Sequence, residues 1–190
     1  MRKSVVAPAV LAAVLGCVAG CGGAGRTGDP GAGTHSPKPA AARITVTSSA
    51  YAEGGTIPRR FTCDGADISP PLAVTGVPAR TASLALVLQD LDAPHGTFTH
   101  WLAWGIGRGT ARLAAGERPP GATQGRNGFG RTGYGGPCPP RGERPHRYVL
   151  TVYATDRRPA LSPDAAPADL QKALTGHTLA EGTLTGRYGR

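Results

Sequence analysis

Apolar residues along this chain recur mostly at every second position or in short unbroken runs, and both patterns predict strands. The first is Ile44-Thr45-Val46-Thr47-Ser48, a short alternating segment. Ser83-Leu84-Ala85-Leu86-Val87-Leu88-Gln89 is almost wholly apolar and reads as a central strand. Residues 97–106 form another strand, and a two-residue period places Phe98, His100 and Leu102 on one face. From His146 to Thr155 the alternation returns with β-forming residues, and His146 and Tyr148 share a face. Helical spacing is convincing once, over 165–175, where Leu170, Ala173 and Leu174 recur and Gly176 stands as a C′ stop. Residues 183–188 close the chain as a strand or ordered tail. Residues 61–72 are rich in turn formers, and 107–133 are poor in apolar residues and read as a long loop. The pattern predicts a mainly β domain.

The N-terminus has another pattern. Met1-Arg2-Lys3 is a short positive segment, and the apolar run over 4–16 suits a secretory leader better than a membrane span. Val18-Ala19-Gly20-Cys21 resembles a bacterial lipobox, which makes Cys21 the lipidated first residue of the mature chain. Cys17 is the poorer candidate, because bulky Leu15 stands next to the small position before it. Two acyl chains on Cys21 suffice for stable anchoring. The organisation read from sequence is therefore a lipoprotein signal peptide over 1–20, a disordered Gly/Ala/Pro linker over 21–42 and one domain over 43–190. It predicts an exported protein held by lipid at the outer face of the cell membrane.

Charge changes the picture little. The formal net charge is +9 and the sequence pI is about 10.0, but the arginines are scattered, with no lysine-rich run and no interleaved aromatics. That pattern excludes a nucleic-acid function and leaves a mild attraction for anions. Gly125-Arg126-Asn127-Gly128-Phe129-Gly130-Arg131 has the glycine density of a phosphate loop without its Gly-Lys-Ser/Thr ending. There is no Gly-x-Ser-x-Gly elbow and no Cys-x-x-Cys pair.

Candidate chemistry gathers in two segments. Asp90, Asp92 and His100 lie in one; His146 and Tyr148 lie in the other, beyond a loop over 133–145 in which glycines stand beside prolines. A carboxylate accepting from one imidazole nitrogen fixes the tautomer, raises the pKa and leaves the other N–H for an anion. Backbone N–H groups of a glycine-rich loop add donors. An anion site is the expectation.

These same segments, Asp90-Leu91-Asp92-Ala93-Pro94 with His100-Trp101 and Gly133 through Tyr148, resemble the signature regions of the phosphatidylethanolamine-binding protein family. The bacterial Raf kinase inhibitor-like branch is the nearer likeness. Phe61-Thr62-Cys63-Asp64-Gly65, Ser69-Pro70-Pro71-Leu72 and Asn127-x-Phe129-Gly130 support it, and the resemblance spans residues 44–190. It implies a β-sandwich with a large antiparallel sheet, a smaller second sheet and a peripheral helix near the C-terminus. It also implies a small pocket for phosphate, phosphoethanolamine-type lipid headgroups or a similar anion. Carried over by motif, Asp90 is the buried carboxylate, Pro94 shapes the wall, Phe98 is the aromatic neighbour, and His100 and His146 are the imidazoles. Gly135, Gly136, Pro137 and Cys138 turn their backbone to the anion, with Tyr148 beside them, while Asp92 braces its turn. Leu91 departs from the proline common at its position, which implies a less rigid turn. Cys63 and Cys138 are the only cysteines of the 43–190 domain, and in an exported domain a disulfide between them is expected.

The leading expectation is a tethered binding protein without turnover, cofactor or metal. It takes a small anionic or phosphorylated ligand and can act on a protein partner. Two other readings are a metal-assisted hydrolase built on Asp90, Asp92, His100 and His146, and a pure protein-interaction module.

Overall fold

A computed structural model describes residues 42–190. The leader, Cys21 and nearly all of the linker lie outside the described residues. In chain order the strands are β1 (Ala42–Arg43), β2 (Thr45–Thr47), β3 (Leu72–Thr75), β4 (Ser83–Asp90), β5 (Phe98–Gly107), β6 (Arg112–Leu113), β7 (Thr123–Gln124), β8 (His146–Thr155) and β9 (Thr178–Tyr188), with helix α1 (Pro167–Leu174) before the last. A six-stranded sheet in the order β1-β9-β8-β4-β5-β7 faces a three-stranded sheet in the order β2-β3-β6. Every pairing is antiparallel except β1 with β9. This is the two-sheet sandwich with one helix that the family resemblance implied.

The apolar run of β4 is explained by cover on both faces. Leu84, Leu86 and Leu88 point into the core between the sheets, with Leu72, Val74, Leu113, Leu150 and Val152. Ala85 and Val87 point the other way, to a second cluster where Leu102 and Trp104 meet Leu170 and Leu174 of α1. Pro167 opens that helix, the Ala166 N–H donates to Asp169 Oδ2 (2.8 Å), and Gly176 lies just beyond its end at φ 79°.

Two irregularities in β5 decide where its side chains point. Against β4 its register slips by one residue between Leu84 and Leu86, beside Gly105 at φ 69°, and again between Leu88 and Gln89. At the second slip Leu88 pairs with Trp101 while Gln89 pairs with Thr99, so His100 is the extra, bulged residue. Strict alternation over 98–102 therefore fails. Leu102 packs towards α1, whereas His100 turns to Tyr148 on the opposite side of the sheet, 5.2 Å between ring centroids.

The long stretch 107–133 is not all loop, since β6 and β7 lie within it and β7 forms one edge of the large sheet. Trp101 Nε1 donates to Gln124 Oε1 (2.6 Å) and ties that edge down. At the other edge the chain crosses between sheets within six residues: β1 pairs with β9, and β2 pairs with β3. There the Ile44 backbone lies against Gly182 so closely that a Cβ on that glycine would collide with it.

Candidate functional site

The end of β4, the start of β5 and the start of β8 meet at one end of the large sheet. Asp90 sits directly across from Tyr148 on β8 and Phe98 on β5. Asp90, His100, His146 and Tyr148 are all buried. His146 Nδ1 donates to Asp90 Oδ2 (2.8 Å), and Asp90 Oδ1 accepts the Asp92 N–H (2.9 Å). His146 and Tyr148 stack at 6.5 Å, as their two-residue spacing on β8 demands.

Their surroundings shift the two histidines in opposite directions. His100 Nδ1 donates to the Gly135 carbonyl (2.7 Å), which fixes the tautomer. Burial pushes its pKa down, outweighing the Gly135 and Gly136 carbonyls and the Asp90 and Asp67 carboxylates that favour the charge. With Nδ1 donating to Gly135, Nε2 carries the lone pair of the ring. Burial opposes the charge of His146 too, but hydrogen bonds to Asp90 and to Glu143 prevail and raise its pKa. Tyr148 Oη is buried and meets no partner in hydrogen-bond geometry, although the Asp90 carboxylate and the Cys138 amide lie close enough to bias it. Burial drives its pKa well up, so the phenol keeps its proton.

The loop amides are disposed differently from the sequence expectation. The Gly135 N–H donates to His100 O (3.0 Å), and the Gly136 N–H donates to Asp67 Oδ1 (2.6 Å). Neither is free for an anion, because the glycines serve close packing instead. A Cβ on Gly136 would stand 2.6 Å from Phe61 O. Pro137 is buried, and its carbonyl accepts the Cys63 N–H (3.1 Å). Cys138 is bonded to Cys63, with Cα atoms 5.4 Å apart. Phe98 meets both His100 (5.0 Å) and Phe129 (4.8 Å) edge-on. Pro94 stands exposed in the β4–β5 turn, outside the buried cluster.

Asp92 does not face the histidines. Its carboxylate accepts from Arg147 Nε (2.8 Å), Arg147 Nη2 (2.9 Å) and the Arg147 N–H (2.8 Å), which hold its pKa well below the usual range. The turn is firmer than a leucine in place of proline suggests, because the Leu91 N–H donates to Arg147 O (3.0 Å), a bond proline cannot make. Among the described residues no group of three or more His, Cys, Asp or Glu side chains is arranged to hold a metal ion.

The matching family model is that of the phosphatidylethanolamine-binding proteins, over residues 47–189. The chain belongs to this family. A UPF0098 protein of Pyrococcus horikoshii is 44% identical over 149 residues, 75% of each chain. A Mycobacterium tuberculosis protein bearing the name "Putative lipoprotein LppC" is 37% identical over 199 residues, 99% of this chain and 97% of its own. Among solved structures, E. coli YbcL, described as a member of the mammalian family, superposes with a TM-score of 0.74 at 31% identity, covering 78% of this chain and 99% of YbcL.

Within this family member three residues that the sequence left without a role complete the site. Glu143 Oε2 lies 3.1 Å from His146 Nε2. Asp67 holds the Gly136 amide with one oxygen and Arg131 Nη2 (2.9 Å) with the other. Asn127 Nδ2 donates to Gly133 O (2.9 Å), while its Oδ1 accepts the Phe129 N–H (2.9 Å), fixing the aromatic wall. Glu143 alone carries a local signal, three residues before His146.

Proposed function

We propose that this chain is a membrane-tethered, extracytoplasmic binding protein whose pocket takes a small anion, phosphate or a phosphoethanolamine-type headgroup, without turning it over. The observation that carries the reading is the buried Tyr148 hydroxyl left without a partner, against the ring of His100. A buried hydroxyl is ordinarily bonded, and a ligand oxygen supplies the missing acceptor. Burial disfavours the charged form of His100, so its Nε2 can accept from a protonated phosphate oxygen or take up a proton as the anion enters. Asp90 and His146, hydrogen-bonded to each other, form the floor, and Phe98 and Phe129 line an apolar wall suited to the carbon part of an ester.

Tethering through Cys21 is supported by the lipobox and by the mycobacterial relative, whose similarity runs over 99% of this chain and so includes the leader. Binding without turnover is supported by Asp92, which is committed to Arg147 rather than to the histidines. Modulation of a protein partner is compatible with the same pocket.

Thermal unfolding against phosphate, phosphoethanolamine, glycerophosphate and citrate tests the reading. A ligand at one hundred times its Kd adds about 2.7 kcal/mol. The shift is expected to vanish in Asp90→Ala and His146→Ala variants. Absence of any shift at millimolar anion would sink it.

A further inference from the structure

One contact in this site has no use in simple anion capture. His146 Nε2, the N–H expected to face a ligand, already meets Glu143 Oε2 at 3.1 Å, while Nδ1 meets Asp90. The imidazole is thus held between two carboxylates of different standing. Asp90 is buried in the sheet, whereas the Glu143 side chain is 45% exposed. Glu143 sits in the short turn between Gly142, at φ 81°, and Pro145. Gly142 is pinned by its N–H to Arg190 O (2.8 Å), so the backbone of the turn is held beside His146 while the half-exposed Glu143 side chain borders solvent. A ligand oxygen reaching Nε2 meets a carboxylate already there.

We propose that Glu143 is a built-in counter-anion that sets the ligand class of the pocket: it rejects carboxylates and yields to phosphomonoesters. This rests on the anion-pocket reading of the site. An incoming carboxylate only exchanges like for like at His146, and as a free molecule it loses to a tethered competitor. A phosphomonoester brings more charge and a third oxygen, available to the unpartnered Tyr148 Oη on the ring next to His146 while the others replace Glu143. Discrimination of this kind comes from an element that repels the wrong ligand.

The test is calorimetric titration of the full chain in detergent, at fixed pH and ionic strength, with sodium phosphate and sodium acetate as probes. Wild type is expected to bind phosphate and discriminate against acetate. Glu143→Gln should raise acetate affinity about tenfold, the scale of one charge-assisted hydrogen bond, and raise phosphate affinity less. Glu143→Ala must act in the same direction. In wild type the imidazole ¹⁵N resonance of His146 Nε2 should move when phosphate is added, as its acceptor changes. Phosphate and acetate affinities that are unchanged or both weakened in the two variants overturn the role of Glu143 and leave the pocket standing. An unmoved Nε2 resonance at saturating phosphate does the same. No binding of either probe to wild type or variants overturns both readings.

Discussion

Replacing Cys63 and Cys138 together with serine removes a cross-link between residues 75 positions apart. On loop-closure entropy alone, releasing a loop of that length costs about 4.5 kcal/mol. Total stabilities of such domains are about 5–15 kcal/mol, so this is a large share. The native contacts around the bond should survive, since the Cys63 N–H still reaches Pro137 O and Arg190 Nε still donates to Pro139 O (2.7 Å). The loss therefore falls mainly on the unfolded chain. Guanidinium unfolding of the oxidised protein and the double variant measures it. With a slope of roughly 4 kcal/mol/M for a domain of this size, the midpoint should drop by about 1 M. Reduced wild type should unfold with the double variant. A drop below about 0.2 M would refute the reasoning, because it would show the Cys138 segment to be equally confined without the bond.

The two histidines should titrate on opposite sides of the ordinary imidazole value. The His146 pKa is raised, so its contribution to stability is complete below the unfolded value and is lost as pH rises through the folded one. The His100 pKa is lowered, so its contribution is complete above the unfolded value and is lost as pH falls towards the folded one. Imidazole NMR titration reads both midpoints, and the reverse order would contradict the assigned partners. Tyr148→Phe removes a buried hydroxyl without a partner; calorimetry should show the ligand-free domain gaining about 1 kcal/mol while its response to phosphate falls. Gly136→Ala places a methyl 2.6 Å from Phe61 O. Overpacking of that kind should cost about 2 kcal/mol in urea unfolding, and an unchanged midpoint would mean the loop moves aside freely.

The parts legible in sequence are those where side-chain type and period agree. β4, β5 and β8 carry long apolar or alternating runs, and α1 has both spacing and stop signal. β9 is legible only from residue 183, because Gly182 and Glu181 interrupt its apolar pattern. β3 begins at once after the paired prolines and is hidden in their turn, and strands of two residues have no period to detect. In the site, Asp90, His100, His146 and Tyr148 are legible because charge and ring chemistry stand out in apolar strands. The facing of Leu102 and the roles of the loop amides are not. The bulge at His100 depends on its pairing with β4, and the amides of Gly135 and Gly136 are claimed by His100 and Asp67, the latter 69 residues away. Such claims arise from tertiary meetings that local pattern does not encode.

The parallel pairing of β1 with β9 also decides how the domain bears load. Tension arriving through residue 42 enters at two ladder positions on a sheet edge, where Ala42 and Arg43 meet Ala180 and Glu181. The next grip is Ile44 on Gly182. His146 pairs with Tyr188 at the far end of the same strand, eight residues on, about 26 Å at the rise of an extended chain. A pull at residue 42 therefore loads the first two strands before strain reaches the histidines, and the β1–β2 crossing acts as a mechanical fuse that spares the His146 end of the sheet.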